Sequence, residues 1–367
     1  MNKLIIEKDK LKKNIDIIKG LTKAKIIAVV KGNGYGLGLL EYSRFLSENG
    51  ISLFAVSDIN DAVLLSQNGF EGSVILLSPP YTEEEADIII ANNIICTVGS
   101  IASAAMVDKS SARLNTIAKV HIKIDTGFGR FGFLTDDNNN PYNIEEVCNY
   151  LSTLSNIEVT GMYTHLSFSF SGKPEHINVQ YNKFQKTVEL MKEKGVKTEM
   201  LHICNSSAFL RFPHMHMDAV RIGSAFLGRI PVENTYGLQK IGYLKSNIVE
   251  IRKLPSGHNV GYANTYTTKR PTTAGIIPVG FRHGFGVEKS RDTFRFIDIL
   301  RYIYNDIKSF NKKIYVMVNG SYVPVIGRIS MYHTIADLTD INAKTGDEVI
   351  LSINPLYISP DVKREYI

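Results

Sequence analysis

A lysine closes the apolar run Ala28-Val29-Val30-Lys31 and is followed at once by Gly32-Asn33-Gly34-Tyr35-Gly36-Leu37-Gly38. An amine in that setting either anchors a phosphate or sits in a dry pocket and forms a Schiff base with a carbonyl compound. The phosphate-loop pattern needs its glycines before the lysine and Ser or Thr after it, and neither is present. Residues 26–30 are short, apolar and rich in β-branched side chains, which predicts a buried strand with Lys31 at its C-terminal end. In an α/β barrel that is the end that carries catalysis. The Schiff-base reading is favoured.

Four further segments carry groups suited to chemistry. Lys123-Ile124-Asp125-Thr126-Gly127-Phe128-Gly129-Arg130 ends a strand in a glycine-rich loop. The planar fork of Arg130 there matches the two oxygens of a carboxylate. Tyr163-Thr164-His165 ends another strand. Leu201-His202-Ile203-Cys204-Asn205-Ser206-Ser207 and Ala219-Val220-Arg221-Ile222-Gly223-Ser224 follow the seventh and eighth strands, where barrels bind phosphate. Ser206 offers a hydroxyl, and Gly223 and Ser224 offer backbone N–H groups where glycine permits close approach. The fourth segment, Val260-Gly261-Tyr262-Ala263-Asn264-Thr265-Tyr266, lies well downstream of these.

Positioning these groups requires an ordered scaffold, and the pattern supplies one. Strand-like runs fall at 26–30, 53–56, 74–77, 94–98, 118–124, 159–163, 200–203 and 219–222. Helix-like stretches lie between them, at 39–48, 58–68, 144–154 and 180–194. Eight alternations are the count that closes a parallel (β/α)8 barrel, and no GxGxxG fingerprint of a doubly wound sheet follows the first strand. Beyond about residue 235 the rhythm becomes strand and turn: 246–252, 275–279, 313–318, 322–326, 334–337 and 348–352, with Asn319-Gly320 as a hairpin turn. The expected division is a barrel over 9–232 and a mostly β domain formed by 1–8 and 233–367. Residues 293–308 predict one amphipathic helix within that second part, and 136–141 a polar surface loop.

The 367 residues are 44% hydrophobic and 21% charged in mixed sign, so a large core is expected and disorder is not. A net charge of +6 without a basic block interleaved with aromatics gives nucleic-acid binding little support. Cys96, Cys148 and Cys204 make no CxxC pair and suit a reducing compartment. The histidines have no metal-ligand spacing, so no metal is expected. With no leader-like start and no apolar stretch of about 18 residues, a cytoplasmic protein without a membrane partner is expected.

The Lys31 segment resembles the cofactor-lysine segment of the alanine racemase family, A-V-V-K-A-N-A-Y-G-H-G, with Lys31, Asn33, Tyr35 and two glycines in register and Leu37 in place of the histidine. The other four segments resemble that family's K-x-D-T-G-M-G-R, strand-end histidine, H-x-x-N-S with R-x-G, and V-S-Y-G-A-T-Y motifs. The resemblance implies pyridoxal 5′-phosphate as cofactor, bonded at C4′ by Lys31, with Tyr35 on its phosphate and Asn205, Ser206, Gly223 and Ser224 around it. It implies Arg221 at the pyridine nitrogen and His165 in the network holding cofactor and catalytic tyrosine. Arg130 and the backbone N–H of Met331 would hold the substrate carboxylate, and Lys123 is implied to be carbamylated and to orient Arg130.

Racemisation removes a proton from one face of Cα and returns it to the other, so two bases are needed. The resemblance makes them Lys31 and Tyr262, the latter entering from the second subunit of a head-to-tail homodimer. An ordinary tyrosine pKa of ~10 is high for that task, and a cationic His165 backed by Arg221 is expected to lower it.

Departures concentrate in the second part. Phe281 stands for a tyrosine, Tyr332 for an aspartate, and residues 287–312 are longer than the family pattern. Asn354 falls near a family tyrosine that narrows the substrate chamber, similar to serine-accepting racemases linked to vancomycin resistance. Alanine is the expected substrate, with serine or another amino acid as the alternative. The rivals are a decarboxylase on the same barrel and a non-catalytic protein that binds the same cofactor. The decarboxylase is expected to lack the two-base tyrosine segment and to take larger basic substrates, and residues 235–367, with Tyr262 and Met331, argue against the shorter, single-domain binding protein.

Overall fold

The computed structural model describes residues 2–68, 72–135, 143–170 and 174–367. The loop expected at 136–141 lies outside them. The chain divides into two units, Lys8–Ile241 and Met1–Glu7 with Gly242–Ile367.

The first unit is a (β/α)8 barrel. Its strands are β1 (Lys25–Val29), β2 (Leu53–Val56), β3 (Ser73–Leu76), β4 (Cys96–Val98), β5 (Ala118–Asp125), β6 (Ile157–Tyr163), β7 (Met200–His202) and β8 (Ala219–Ile222). They pair in parallel in the order β3-β2-β1-β8-β7-β6-β5-β4. The ring closes where Ile95 N donates to Val74 O (2.8 Å) and Leu76 N to Ile95 O (3.0 Å). Both faces of such strands are covered, which is why runs such as Val74-Ile75-Leu76 are continuously apolar.

Helices enter through side-chain caps. Asp58 accepts from Asn60 N and Asp61 N, Ser100 pairs reciprocally with Ser103, and Asn143 with Glu146. Each cap satisfies N–H groups that a helix start would otherwise leave unpaired. The expected helices at 39–48, 58–68 and 144–154 are found as Leu39–Glu48, Ile59–Gln67 and Ile144–Ser152, whereas the one at 180–194 begins earlier, as Glu175–Glu193.

The period of two along each strand decides what reaches the barrel interior. Ile27, Val29, Ala55, Ile75, Ile95 and Ala219 form one apolar cluster. The same alternation on the opposite side delivers His121 and Lys123 from β5, Tyr163 from β6, His202 from β7 and Arg221 from β8, all buried.

In the second unit, Lys3–Ile6 pairs antiparallel with Tyr243–Asn247 and parallel with Lys363–Tyr366, within a six-stranded sheet. A three-stranded antiparallel sheet joins Glu250–Leu254, Thr272–Ile277 and Thr334–Asp337. The single strand expected at 246–252 is two strands in different sheets. Ile248 N donates to Asp347 O and Val249 N to Ile276 O, so the chain changes sheets between them. Asn319 and Gly320 both take positive φ (49° and 79°), as a two-residue hairpin requires. No described helix is long and apolar enough to cross a membrane.

Candidate active site

A cavity of about 430 Å³ opens at the C-terminal end of the barrel strands. Lys31, Tyr35, Lys123, Arg130, His165, Asn205, Ser206, Arg221, Gly223 and Ser224 all line it. Ten of the residues singled out in the sequence therefore converge on one hollow. Tyr262 and Met331 belong to the second unit, where both are exposed. The Met331 N–H makes no hydrogen bond to a described residue, while its carbonyl accepts from Arg282 N.

Lys31 continues the inward alternation of Ile27 and Val29. The chain then makes a left-handed turn: Gly32, Asn33, Gly34 and Tyr35 have φ of 64°, 53°, 63° and 53°. Such a run costs an L-residue roughly 1–2 kcal/mol at each position, so glycine belongs at two of the four. Asn33 offsets its own strain by accepting from Leu39 N (2.9 Å). The turn brings the phenol of Tyr35 to Gly223, where an added Cβ would stand 2.5 Å from its oxygen. Burial raises the Tyr35 pKa, so the phenol stays protonated and can donate.

Asp125 shapes the loop that carries Arg130. Its carboxylate accepts from the N–H groups of Gly127 (2.9 Å), Phe128 (2.8 Å) and Gly129 (2.8 Å). Arg130 lies over the Phe128 ring at 4.6 Å and forms no ion pair with a described residue. Gln180 ties this loop to the next, donating to Thr126 Oγ1 (3.2 Å) and accepting from Ser167 N (3.0 Å).

Arg221 is buried without a carboxylate partner among the described residues. Its Nη1 donates to His202 Nδ1 (2.7 Å) and His202 O (3.0 Å), and Nη2 to Thr164 O (2.7 Å) and Ile203 O (3.0 Å). Arginine can only donate, so His202 must accept at Nδ1 and carry its proton on Nε2, which faces His121 Nδ1 at 3.0 Å. His121 then carries its own proton on Nε2, in space left by Gly161, where a Cβ would come within 2.6 Å of that nitrogen. Tyr163 stacks on His202 at 4.8 Å and hydrogen-bonds Thr97 Oγ1 (3.0 Å) and Leu77 O (3.2 Å).

The charge pattern is one-sided. Lys31, Lys123, Arg130 and Arg221 line the cavity, and no Asp or Glu among the described residues does. Burial, then Arg130 and Arg221, lower the Lys31 pKa, although its side chain remains open to solvent. Lys123 falls to about 8 for the same reasons in the same order. Burial lowers Arg221 to about 10, which still leaves it charged at neutral pH.

His165 is pushed down to about 3 by burial, then by Arg221, Arg130, Lys123 and Lys31. The expectation of a cationic His165 is therefore wrong. Crowded by four cations, its imidazole stays neutral, and only the amines and guanidinium groups carry charge here.

Both halves of the chain match one protein family. "Alanine racemase, N-terminal domain" matches residues 6–231 and "Alanine racemase, C-terminal domain" residues 241–359.

The chain belongs to the alanine racemase family.

A curated alanine racemase of Clostridium novyi (strain NT) is 34% identical over 355 residues, covering 94% of this chain and 84% of that one. The solved alanine racemase of Clostridium difficile 630 superposes with a TM-score of 0.86 at 28% identity, covering 100% of this chain and 95% of that one. The same protein in complex with cycloserine gives 0.83 at 26% identity, with the same coverage of both chains.

The family's cofactor is pyridoxal 5′-phosphate, and the cavity fits it. Arg221 keeps one N–H, at Nε, without a partner among the described residues, as a donor to a ring nitrogen requires. Ser206 Oγ accepts from Gly223 N (3.0 Å) and Ala225 N (3.2 Å), which leaves its own proton to donate. Together with Tyr35 and the bare backbone of Gly223, this is a donor cradle for a phosphate. Sequence reasoning assigned no role to Tyr163, His121 or His202. Their signal was present: polar residues two places before His165, Lys123 and at an inward position of β7, where an unpaired polar group would be costly.

Proposed function

We propose that the chain interconverts L- and D-alanine, with pyridoxal 5′-phosphate in the barrel cavity and Lys31 and Tyr262 as its two bases. The observation that carries this reading is a hollow lined by four cationic groups and by no carboxylate among the described residues, with one of its two amines two places past the end of β1. When bound, the coenzyme supplies an aldehyde that condenses reversibly with amines and a ring that takes up negative charge from Cα.

The protein's part is to hold and to move protons. Lys31, with its lowered pKa, is a neutral amine more often than an ordinary lysine, so it can bond the aldehyde carbon and afterwards take or return a proton on its side of Cα. Tyr35, Ser206, Gly223 and Ser224 hold the phosphate, with Asn205 capping the helix that begins at Ser206. Arg221, which can only donate, would meet the ring nitrogen as an acceptor and so temper the charge the ring could take up. Neutral His165 packs edge-on against the Phe128 ring at 5.0 Å, beside the loop that carries Arg130. Arg130 would hold the substrate carboxylate, and the family resemblance gives the Met331 N–H the same task.

Tyr262, supplied by a second copy in a head-to-tail dimer, serves the opposite face of Cα. Lys123, with a pKa near 8, has a reactive neutral fraction that can add CO2 and release a proton, and the resulting carbamate would pair with Arg130. Serine is the second substrate. Asn354 accepts from Leu356 N through Oδ1, while its Nδ2 has no described partner and is free to meet a hydroxyl.

A panel of L-amino acids incubated with the coenzyme-loaded protein tests the reading. D-alanine should form fastest and D-serine next, without CO2 release. Tyr262→Phe should abolish turnover while leaving coenzyme binding intact. Bound coenzyme without any D-product would refute it.

A further inference from the structure

The helix Phe296–Lys308 has no cover of its own. Asp298 is its one buried residue, and that carboxylate is hidden beneath Arg295 (2.6 and 3.0 Å) and Arg301 (2.7 Å), which donate to it. A helix of 13 residues is marginal in water unless an apolar face is packed. This one has such a face, and no described residue buries it.

That face is ordered. Phe296, Leu300, Ile303 and Ile307 on the helix and Phe310 just beyond it recur at spacings of four, three, four and three residues, with Ile297 and Tyr304 alongside. All seven are exposed, Phe296 by 73%, Ile307 by 71% and Phe310 by 79%. With large apolar side chains at ~150–250 Å² each, the stripe offers on the order of 800 Å². That exceeds the largest apolar patch of a typical monomer and equals what one partner contributes to a stable interface.

The occupant follows from spacing and charge. The four-three repeat is the seam by which a helix packs against another helix. A lipid-surface helix carries a cation-rich polar face, whereas this helix balances Asp298 and Asp306 against Arg301 and Lys308. We propose that the stripe packs against the same stripe of a second copy of this chain, as a two-fold helix pair. The contact is isologous, each helix supplying what the other needs. It uses only the Gly242–Ile367 part of the chain and does not rest on the racemase reading.

Sedimentation of the coenzyme-loaded full chain tests it. The contact is additional to the head-to-tail dimer proposed above, so L300E/I303E/I307E should sediment as that dimer and the wild type at twice its mass or more at equal concentration. Ile303→Cys, a mild change, keeps the test valid if the triple variant misfolds. A bis-maleimide should couple it into a covalent pair at least about tenfold more than Arg301→Cys on the other side, the native cysteines being buried. Equal masses, or equal coupling at the two positions, overturns the proposal. Equal masses with loss of binding to phosphatidylcholine vesicles in the triple variant would assign the stripe to lipid instead. Racemase activity read on the same samples separates this outcome from any failure of the catalytic reading.

Discussion

The two sides of the barrel interior obey one geometric rule and do opposite jobs. Strands β1 to β3, with Ile95 beside β4, send in Ile27, Val29, Ala55, Ile75 and Ile95, which need only matched volume. Strands β5 to β8 send in His121, Lys123, Tyr163, His202 and Arg221, which need partners as well. Thr97 on β4 marks the border, bonding across to Tyr163. The polar side is bonded from Arg221 through His202 to His121, and the cations above it face the cavity. An apolar side can lose a methyl and relax. A bonded polar side fails when one member is removed, because the others stay buried and unpaired.

The comparison is sharpened first at its rim. Lys31→Ala should cut turnover by about 10³-fold or more, the usual scale for losing a nucleophile that is also a proton carrier. Its urea midpoint should not fall, since a cation repelled by Arg130 and Arg221 has been removed. Within the polar side, Arg221→Ala strands the carbonyls of Thr164, His202 and Ile203. We expect a loss of about 3–5 kcal/mol by urea denaturation.

Acid should act on the same side. His121 is lowered to about 4 and His202 well below its ordinary value, both by burial first and Arg221 second. Unfolded histidines bind protons below pH ~6.5 and these folded ones do not, so stability falls as pH falls. His165, lowered to about 3, adds to them, so with three such histidines the slope should be about 4 kcal/mol per pH unit between roughly pH 6 and 4. His121→Phe should cut it by about a third.

Gly223→Ala tests the cradle. A Cβ 2.5 Å from the Tyr35 oxygen should weaken coenzyme binding by about tenfold or more in a fluorescence titration, while L-alanine KM at saturating coenzyme changes little. The smallest effect belongs to the apolar side: Ile27→Val should cost about 1 kcal/mol and leave turnover unchanged.

How much of this was legible in the sequence depends on the range of the interaction. Alternation is local, so the inward places of Lys31, Arg221 and His165 could be read from their strands. The hairpin at Asn319-Gly320 was equally readable, because positive φ is a local demand. The break between Asn247 and Glu250 was not, since strand propensity does not say which sheet a residue joins. The charge state of His165 also escaped, because it is set first by burial and then by four cations from three other strands and their loops. The helix at 296–308 was visible from its period, but nothing local reveals whether an apolar face is covered.

The most direct test reduces the coenzyme-loaded protein with borohydride and locates the modified lysine by peptide mass spectrometry. Two amines with lowered pKa line the same cavity, Lys31 and Lys123, so the experiment can go either way. The account predicts the label on Lys31 alone. A label on Lys123, or on any lysine outside the cavity, would contradict it.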